Sequence, residues 1–514
     1  MQRGSHRRLA RFYVIGIILI QLAWAAARCP AAQTTGASSA ADQLVALTHR
    51  IGSDELMGTV RELCDPKYDG RLTGTPGYDA AAEWVIDRLR TWGYRPGGED
   101  GRWTQDFHNP YTQVMAHGAL ALRLPAGADG WIEKAYRYED EYYPGATSGT
   151  GEVTAEVIYA GYGITAPELG YDDYAGVDVR GKIVLVDVEA PVAPDAGADA
   201  FLKWRPYSFH QYKVANAWNH GAAGMLYHYH IVNPNCAYIP GLGLTYVSRA
   251  VVDDLFAGTG RDWKGTVAGI RKNLQPASFA TGKTVRMSNR TEHHSAGVGR
   301  TVIGFLEGAD PVRRHETIVV AAHLDFLGRN PALLVGANDN ASGVAVVMAV
   351  ARALAQSPVP PGRSVAFVFF GAEEQGVRGS EFYLEQPLFP LAQTVACLNF
   401  DGVGVGEEIR VLAGLNFPKL WDYFDRANGR WVHRTCEPSQ TANLGRQRLD
   451  AAHFLKAGIP TLSFSTGGGP EGGPPTYHTT RDRPEILNPE IMEDLARIVF
   501  RGLVELAADD RPLH

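Results

Sequence analysis

The chain has 514 residues, too many for one ordinary folding unit, and its 45% apolar and 20% charged composition is that of a globular protein with ample material for a core. Lys and Arg total 49 against 56 Asp and Glu, a formal charge of −7, and no long basic run follows the N-terminus. That balance argues against nucleic acid as a partner.

The first 27 residues read as an export signal. Arg3, Arg7, Arg8 and Arg11 form a positive n-region, an apolar stretch runs from Phe12 to Ala27, and Ala25-Ala26-Ala27 fits a small-residue cleavage site. The apolar stretch is short for a bilayer span, so cleavage and release into the periplasm or the extracellular space are expected, with no stable membrane span afterwards. Lipid anchoring at Cys29 is the lesser reading, because Arg28 stands where a small residue is wanted. Residues 28–41 form an expected flexible lead-in rich in Ala, Ser, Thr and Gly. Cys29, Cys64, Cys236, Cys397 and Cys436 make no Cys-x-x-Cys pair, so no thiolate zinc site is indicated. Cys397, inside an apolar run, is expected to be a free buried thiol.

Residues 42–135 are expected to form the first part of the main domain. Gly70-Arg71-Leu72-Thr73-Gly74-Thr75-Pro76-Gly77 leads into a helix signal, with Thr75 as N-cap, Pro76 at the first helical position, and Tyr78, Ala82, Val85, Leu89 and Trp92 at helical spacing. Gly93 is the stop. Strand-like segments follow on either side of His108-Asn109-Pro110. From 136 to 290 the pattern turns β-rich: Val153, Ala155, Val157 and Tyr159 alternate with other residues, and Lys182-Ile183-Val184-Leu185-Val186 reads as a strand after Gly181. A helix over 211–219 and another reaching Phe256, capped by Ser248, complete this stretch. His228 and His230 share a strand face but have no third ligand near them in sequence. Asn289-Arg290-Thr291 matches an exposed glycan acceptor. The segment is expected to be a module inserted into the frame, serving as a lid or a substrate-recruiting surface.

Residues 291–514 change to an α/β pattern. Thr317-Ile318-Val319-Val320-Ala321-Ala322 reads as a buried parallel strand that delivers His323 at its carboxyl end. A helix follows Asp339 and stops before Pro358. Val365 to Phe370 is a second strand, leading to Glu373-Glu374; Val395 to Phe400 is a third, leading to Asp401. A fourth, Ile459 to Phe464, opens into the Gly/Pro-rich loop that reaches Tyr477-His478-Thr479. Polar residues beyond the carboxyl ends of parallel strands lie where open α/β sheets place their ligands, so the order predicts one cleft.

Two imidazoles and several carboxylates without a thiolate suit two divalent ions, zinc first, with cobalt or manganese as neighbours in preference. One carboxylate is expected to bridge them. Of the adjacent pair Glu373 and Glu374, one can ligate while the other stays free as general base. Asp325, two residues beyond His323, suits a carboxylate that fixes the imidazole tautomer.

At these residues the chain resembles the di-zinc aminopeptidases of peptidase family M28, in the subgroup with an inserted protease-associated (PA) domain. The likeness runs through Gly70 to Gly77, through the Gly161 to Asp173 and Gly181-Lys182 stretches of the inserted segment, and through His-x-Asp, Asp-Asn-Ala-Ser-Gly, Glu-Glu, Asn-Phe-Asp and Tyr-His-Thr. It implies an α/β fold with a mixed, largely parallel central sheet flanked by helices, zinc exopeptidase-like, plus an inserted β-rich α/β PA domain. It further implies His323 and Asp401 as ligands of one metal, Asp339 as the bridge, Glu374 and His478 as ligands of the other, Glu373 as base and Asp325 as the residue orienting His323. The activity implied is a secreted metallo-exopeptidase removing N-terminal residues from peptides. A carboxypeptidase or glutaminyl cyclase on the same scaffold is the alternative, followed by a receptor-like binding protein. Where the family often has Ser-Asp-His, this chain has Leu449-Asp450-Ala451-Ala452-His453, and Arg483 replaces a small hydroxyl residue after Asp482. Asp450 is thus expected behind the ligands or near the substrate, and Tyr477 either bonds an oxyanion or packs.

Overall fold

The computed structural model describes residues 39–126, 130–146, 149–192, 198–235, 238–441, 448–467, 475–511 and 513. The expected signal segment 1–27, the start of the lead-in, Cys29 and Cys236 lie outside the described residues. At the end of the predicted lead-in, Ala40 and Ala41 already belong to a helix, Ala40–Arg50. Residues Val45–His514 form one compact unit.

The metal-bearing half is built on a nine-stranded sheet. Its centre is four parallel strands in the spatial order Ser364–Phe370, Thr317–His323, Thr394–Phe400 and Thr461–Thr466. Antiparallel strands close both flanks: Val298–Leu306 beside Ser364–Phe370, and Ile409–Leu412 beside Thr461–Thr466. Both Thr317–His323 and Ser364–Phe370 are buried along their whole length, as continuous apolar runs require when both faces are covered. Val319 and Ala321 pack with Tyr383 and Phe454, from helices Arg378–Glu385 and Ala451–Lys456. The alternate side chains of the same strand point the other way, toward helix Gly343–Ala355. Helices Ser53–Leu63 and Pro489–Ala508 pack behind Gly343–Ala355. The predicted N-cap holds: Thr75 accepts from the Tyr78 amide at the start of helix Pro76–Thr91.

The inserted region carries its own eight-stranded sheet. Four parallel strands, Gly151–Tyr159, Ile183–Asp187, Gly224–His228 and Gly243–Val247, form its core. Two long antiparallel strands, Tyr111–Ala126 and Phe279–His294, pair beside them. The first of these precedes position 136 and the second runs past 290, so this sheet takes in residues on both sides of the expected borders. The long pairing explains why: ten register partners join the two strands, and cutting at 136 would separate one ladder from its partner.

Two local expectations differ from what is observed. Ser248 precedes helix Arg249–Phe256, yet its hydroxyl makes no cap bond. Asn289 is buried, with its amide donating to the Leu244 carbonyl, and is no exposed glycan acceptor. His228 pairs through Nδ1 with Asp187 at 2.8 Å, an oxygen also engaged by the Trp263 indole, so it serves a buried network of the module. Cys397 is a buried free thiol.

Candidate metal centre

His323, Glu374 and Asp401 stand at or just beyond the carboxyl ends of parallel strands, whereas Asp339 and His478 come from connecting segments, and nearby backbone is clamped so that the side chains converge. Arg71, fully buried, donates through Nε to Leu324 O at 2.9 Å and through its other nitrogens to Val335 O at 2.8 Å and Gly336 O at 3.1 Å. One guanidinium thus joins the turn after His323 to the turn before Asp339. Thr73 Oγ1 accepts from the Ala372 amide at 2.8 Å, fixing the entry to Glu373-Glu374. The Asp325 carboxylate accepts from the Glu373 and Glu374 amides, both at 3.2 Å.

The Asp339 loop is held from two sides. Asp482 accepts from the Asn338 and Asp339 amides at 2.8 and 3.0 Å. Asn340 donates to Phe400 O at 2.8 Å and accepts from Gly402 N at 3.2 Å, tying this loop to the strand that ends in Asp401. Gly336 sits at φ +57°, and a Cβ there would lie 2.2 Å from Asp339 O, so only glycine fits the turn.

The side chains form three overlapping groups that could each hold a metal ion, and two of them share Asp339. His323, Asp339 and Asp401 make one; Asp339, Glu374 and His478 make the other, with all candidate ligand atoms of a triad within 4.8 Å of one another. His323 Nε2 lies 3.3 Å from Asp339 Oδ1 and 3.5 Å from Asp401 Oδ1. His478 Nε2 lies 3.3 Å from Asp339 Oδ2 and 3.0 Å from Glu374 Oε2. Asp339 therefore presents one oxygen to each imidazole. Glu373 also approaches His323 and Glu374 within the same 4.8 Å limit. His323 Nδ1 is 3.3 Å from the Asp325 carbonyl and 3.7 Å from its carboxylate.

The electrostatics call for a cation. Burial pushes Glu373 well up, with Glu374 and Asp401 adding to the effect against His323, and burial pushes Glu374 up to about 7. Burial also disfavours charge on His478 and His323, yet the surrounding carboxylates hold both above the ordinary imidazole value. Carboxylates crowded this way resist sharing a dry site without positive charge among them. Glu374 Oε1 and His478 Nε2 are buried without a hydrogen-bond partner. Inward-facing, unpartnered lone pairs on nitrogen and oxygen are the donor set that divalent zinc-like ions take.

The site opens into a cleft of about 550 Å³. Glu373, Glu374, Asp401 and His478 line one side, and Phe209, His210 and Tyr229 of the inserted region line the other. Tyr477, 37% exposed, stacks on the His478 ring with centroids 3.7 Å apart. Asp450 lies outside the cleft lining, is 1% exposed, and has both carboxylate oxygens without a hydrogen-bond partner. Burial raises it to about 7, and the charges of His323, Asp325 and Asp401 reach it, so it sits behind the ligands. The seven residues expected to carry the chemistry are thus brought together, with Tyr477 at the rim and Asp450 behind. The supporting roles of Arg71, Thr73, Asn340 and Asp482 were not anticipated. Arg71 and Thr73 lie in the Gly70 to Gly77 stretch, whose density of Gly and small polar residues was the available signal.

Residues 301–502 match peptidase family M28 and residues 153–251 match the PA domain. A probable lipoprotein aminopeptidase of Mycobacterium tuberculosis, LpqL, is 27% identical over 369 residues, covering 71% of this chain and 61% of the relative. The chain thus spans about three fifths of that relative's length. An aminopeptidase structure from Aneurinibacillus sp. strain AM-1 superposes with a TM-score of 0.63 at 21% identity, covering 91% of this chain and 96% of the other. A zinc aminopeptidase structure from Bacillus subtilis gives 0.60 at 19%, covering 90% and 96%. These likenesses show a shared fold across both sheets. The chain thus carries a region similar to peptidase family M28 over residues 301–502, with a region similar to the PA domain ahead of it over residues 153–251.

Proposed function

We propose that this protein is an aminopeptidase that removes N-terminal residues from peptides at a site for two divalent ions, zinc in preference. The observation that carries this reading is the pair of overlapping triads sharing Asp339, with Glu373 left beside them as a spare carboxylate. In this reading His323 and Asp401 would hold one ion, Glu374 and His478 the other, and Asp339 would serve both. Bound there, the ions would supply the positive charge that acidifies water and polarises a peptide carbonyl.

Glu373 takes the proton from the attacking water and returns it to the departing amine. Its place beside His323 and Glu374, lining the cleft, suits a group that must accept a proton and then give it up. Asp325 acts through position: its carboxylate holds the Glu373 and Glu374 amides, and its carbonyl faces His323 Nδ1. Tyr477 closes the rim beside His478. LpqL and an aminopeptidase of Bacillus subtilis, YwaD, bear the name aminopeptidase, which supports this activity, and a glutamate carboxypeptidase 2 homolog among the relatives keeps the carboxypeptidase as the alternative to test.

The substrate class is peptides with a free N-terminus. Export remains our reading of residues 1–27; among the described residues no helix is long and apolar enough to cross a membrane. We place the inserted module between the loops near 109 and 297, moving the borders outward to include both long strands. Zinc-loaded protein assayed on aminoacyl anilides, acidic dipeptides and N-terminal Gln peptides tests the activity. Turnover confined to the anilides supports the proposal, whereas release only from acidic dipeptides, or cyclisation only of Gln peptides, assigns the alternative.

A further inference from the structure

The loop carrying His478 is bonded to the inserted module at two points. Val232 N donates to His478 O at 3.1 Å, and His478 Nδ1 lies 3.0 Å from Val232 O. An imidazole that donates through Nδ1–H carries its lone pair on Nε2, the nitrogen that faces Asp339 and Glu374. Two residues on, Thr480 Oγ1 donates to Glu139 Oε2 at 2.9 Å, and Glu139 also belongs to the module.

These bonds stand on a shared core. Val232 is 2% exposed and packs in one cluster with Tyr143, Val184 and Tyr246 of the module and with Phe326, Leu327 and Leu334 of the metal-bearing half. Phe326 directly follows Asp325, and its ring stands edge-on to the His478 ring at 5.9 Å between centroids. His323, by contrast, finds its Nδ1 neighbour in Asp325, two residues along its own chain. The two imidazoles at the site are therefore oriented by different parts of the fold.

We propose that the inserted module is a positioning element for one of the two metal positions, that of Asp339, Glu374 and His478, while the position of His323, Asp339 and Asp401 is built by the frame alone. This rests on the two-ion reading above. The module sets the tautomer and direction of one ligand through the Val232 carbonyl and holds the ligand's loop through Glu139. Its removal would open one metal position, so the expected loss of activity is not confined to long peptides, as a lid or recruiting surface would require.

Calorimetric titration of metal-free full-length protein with Zn²⁺, repeated with Co²⁺ while recording its visible absorption, tests this. Glu139→Ala and Thr480→Val each cut one bond, and their double variant cuts the same one; Val232→Pro removes the donor to His478 O. Tyr136→Phe is the control, because it removes a module bond to Asp254 in a core cluster other than that of Val232. The expected result is selective weakening of one of two binding phases by roughly tenfold or more, with the corresponding Co²⁺ band lost. The double variant should be no weaker than either single one. Tyr136→Phe should lower the melting temperature and leave both phases as in the wild type. Equal weakening of both phases, or unchanged binding in all four variants that cut the bonds between the module and the His478 loop, overturns the proposal. A wild-type protein that binds less than one ion per chain overturns the two-ion reading itself, which separates the two failures.

Discussion

The parallel strands of the metal-bearing sheet and the inserted module contribute to one site by different means. The strands deliver ligand side chains: His323, Glu374 and Asp401 each follow a buried apolar run, and their identities decide which ion and which chemistry the site can take. The module delivers backbone and walls. Val232 meets His478 through its carbonyl and amide, while Tyr229, Phe209 and His210 face the ligands across the cleft. Chemistry is written in side chains on one sheet, and part of its alignment comes from main chain on the other.

Asp339 is the point where this division should break most severely. Because it offers one oxygen to each imidazole, Asp339→Ala should lower metal content from about two ions per chain to below one and abolish turnover. Metal analysis of the purified variant checks it; retention of both ions would remove Asp339 from the bridging role.

Arg71 tests whether the frame alone aligns the first half of the site. Arg71→Ala leaves several buried carbonyls without a donor and should cost at least about 3 kcal/mol in denaturant unfolding. A loss under about 1 kcal/mol would mean that the clamp is dispensable. A smaller, more local change is Asp482→Asn. An amide can accept on one side only, so one of the Asn338 and Asp339 amides loses its carboxylate partner, and metal affinity should fall roughly 10–100-fold at both positions. Loss at one position only would show that the Asp339 loop is not shared.

The smallest expected effect lies wholly within the module. Burial pushes the Asp173 carboxyl up to about 7, against hydrogen bonds from Tyr171, Ile164 and Tyr162. A folded carboxyl above its unfolded value binds more protons in the folded state, so this group's contribution to stability falls as pH rises from about 4 through about 7. Asp173→Asn should flatten that slope in urea unfolding between pH 5 and 8. An unchanged slope would show that Asp173 is ionised throughout.

The same division explains how much of the molecule was legible in the sequence. His323, Asp339, Glu373, Glu374, Asp401 and His478 were visible because chemistry-bearing residues recur after apolar runs, and a run buried on both faces announces a parallel strand. Arg71 stands in a Gly-rich stretch, but its role depends on four backbone carbonyls brought together only by folding. Val232 was invisible for a stronger reason: a backbone carbonyl carries no side-chain signature, and Val232 reads as one apolar residue among many. The pairing of Tyr111–Ala126 with Phe279–His294 was equally invisible, because the two strands are more than 150 residues apart and strand pairing at that separation leaves no local pattern.

The account rests most directly on Glu373 being spare. Glu373→Gln, measured for bound metal and for turnover of an aminoacyl anilide in the same preparation, should keep about two ions per chain while turnover falls roughly 10²–10⁴-fold. Near-wild-type turnover would contradict the assignment of Glu373 as base, and loss of an ion along with turnover would make Glu373 a ligand instead.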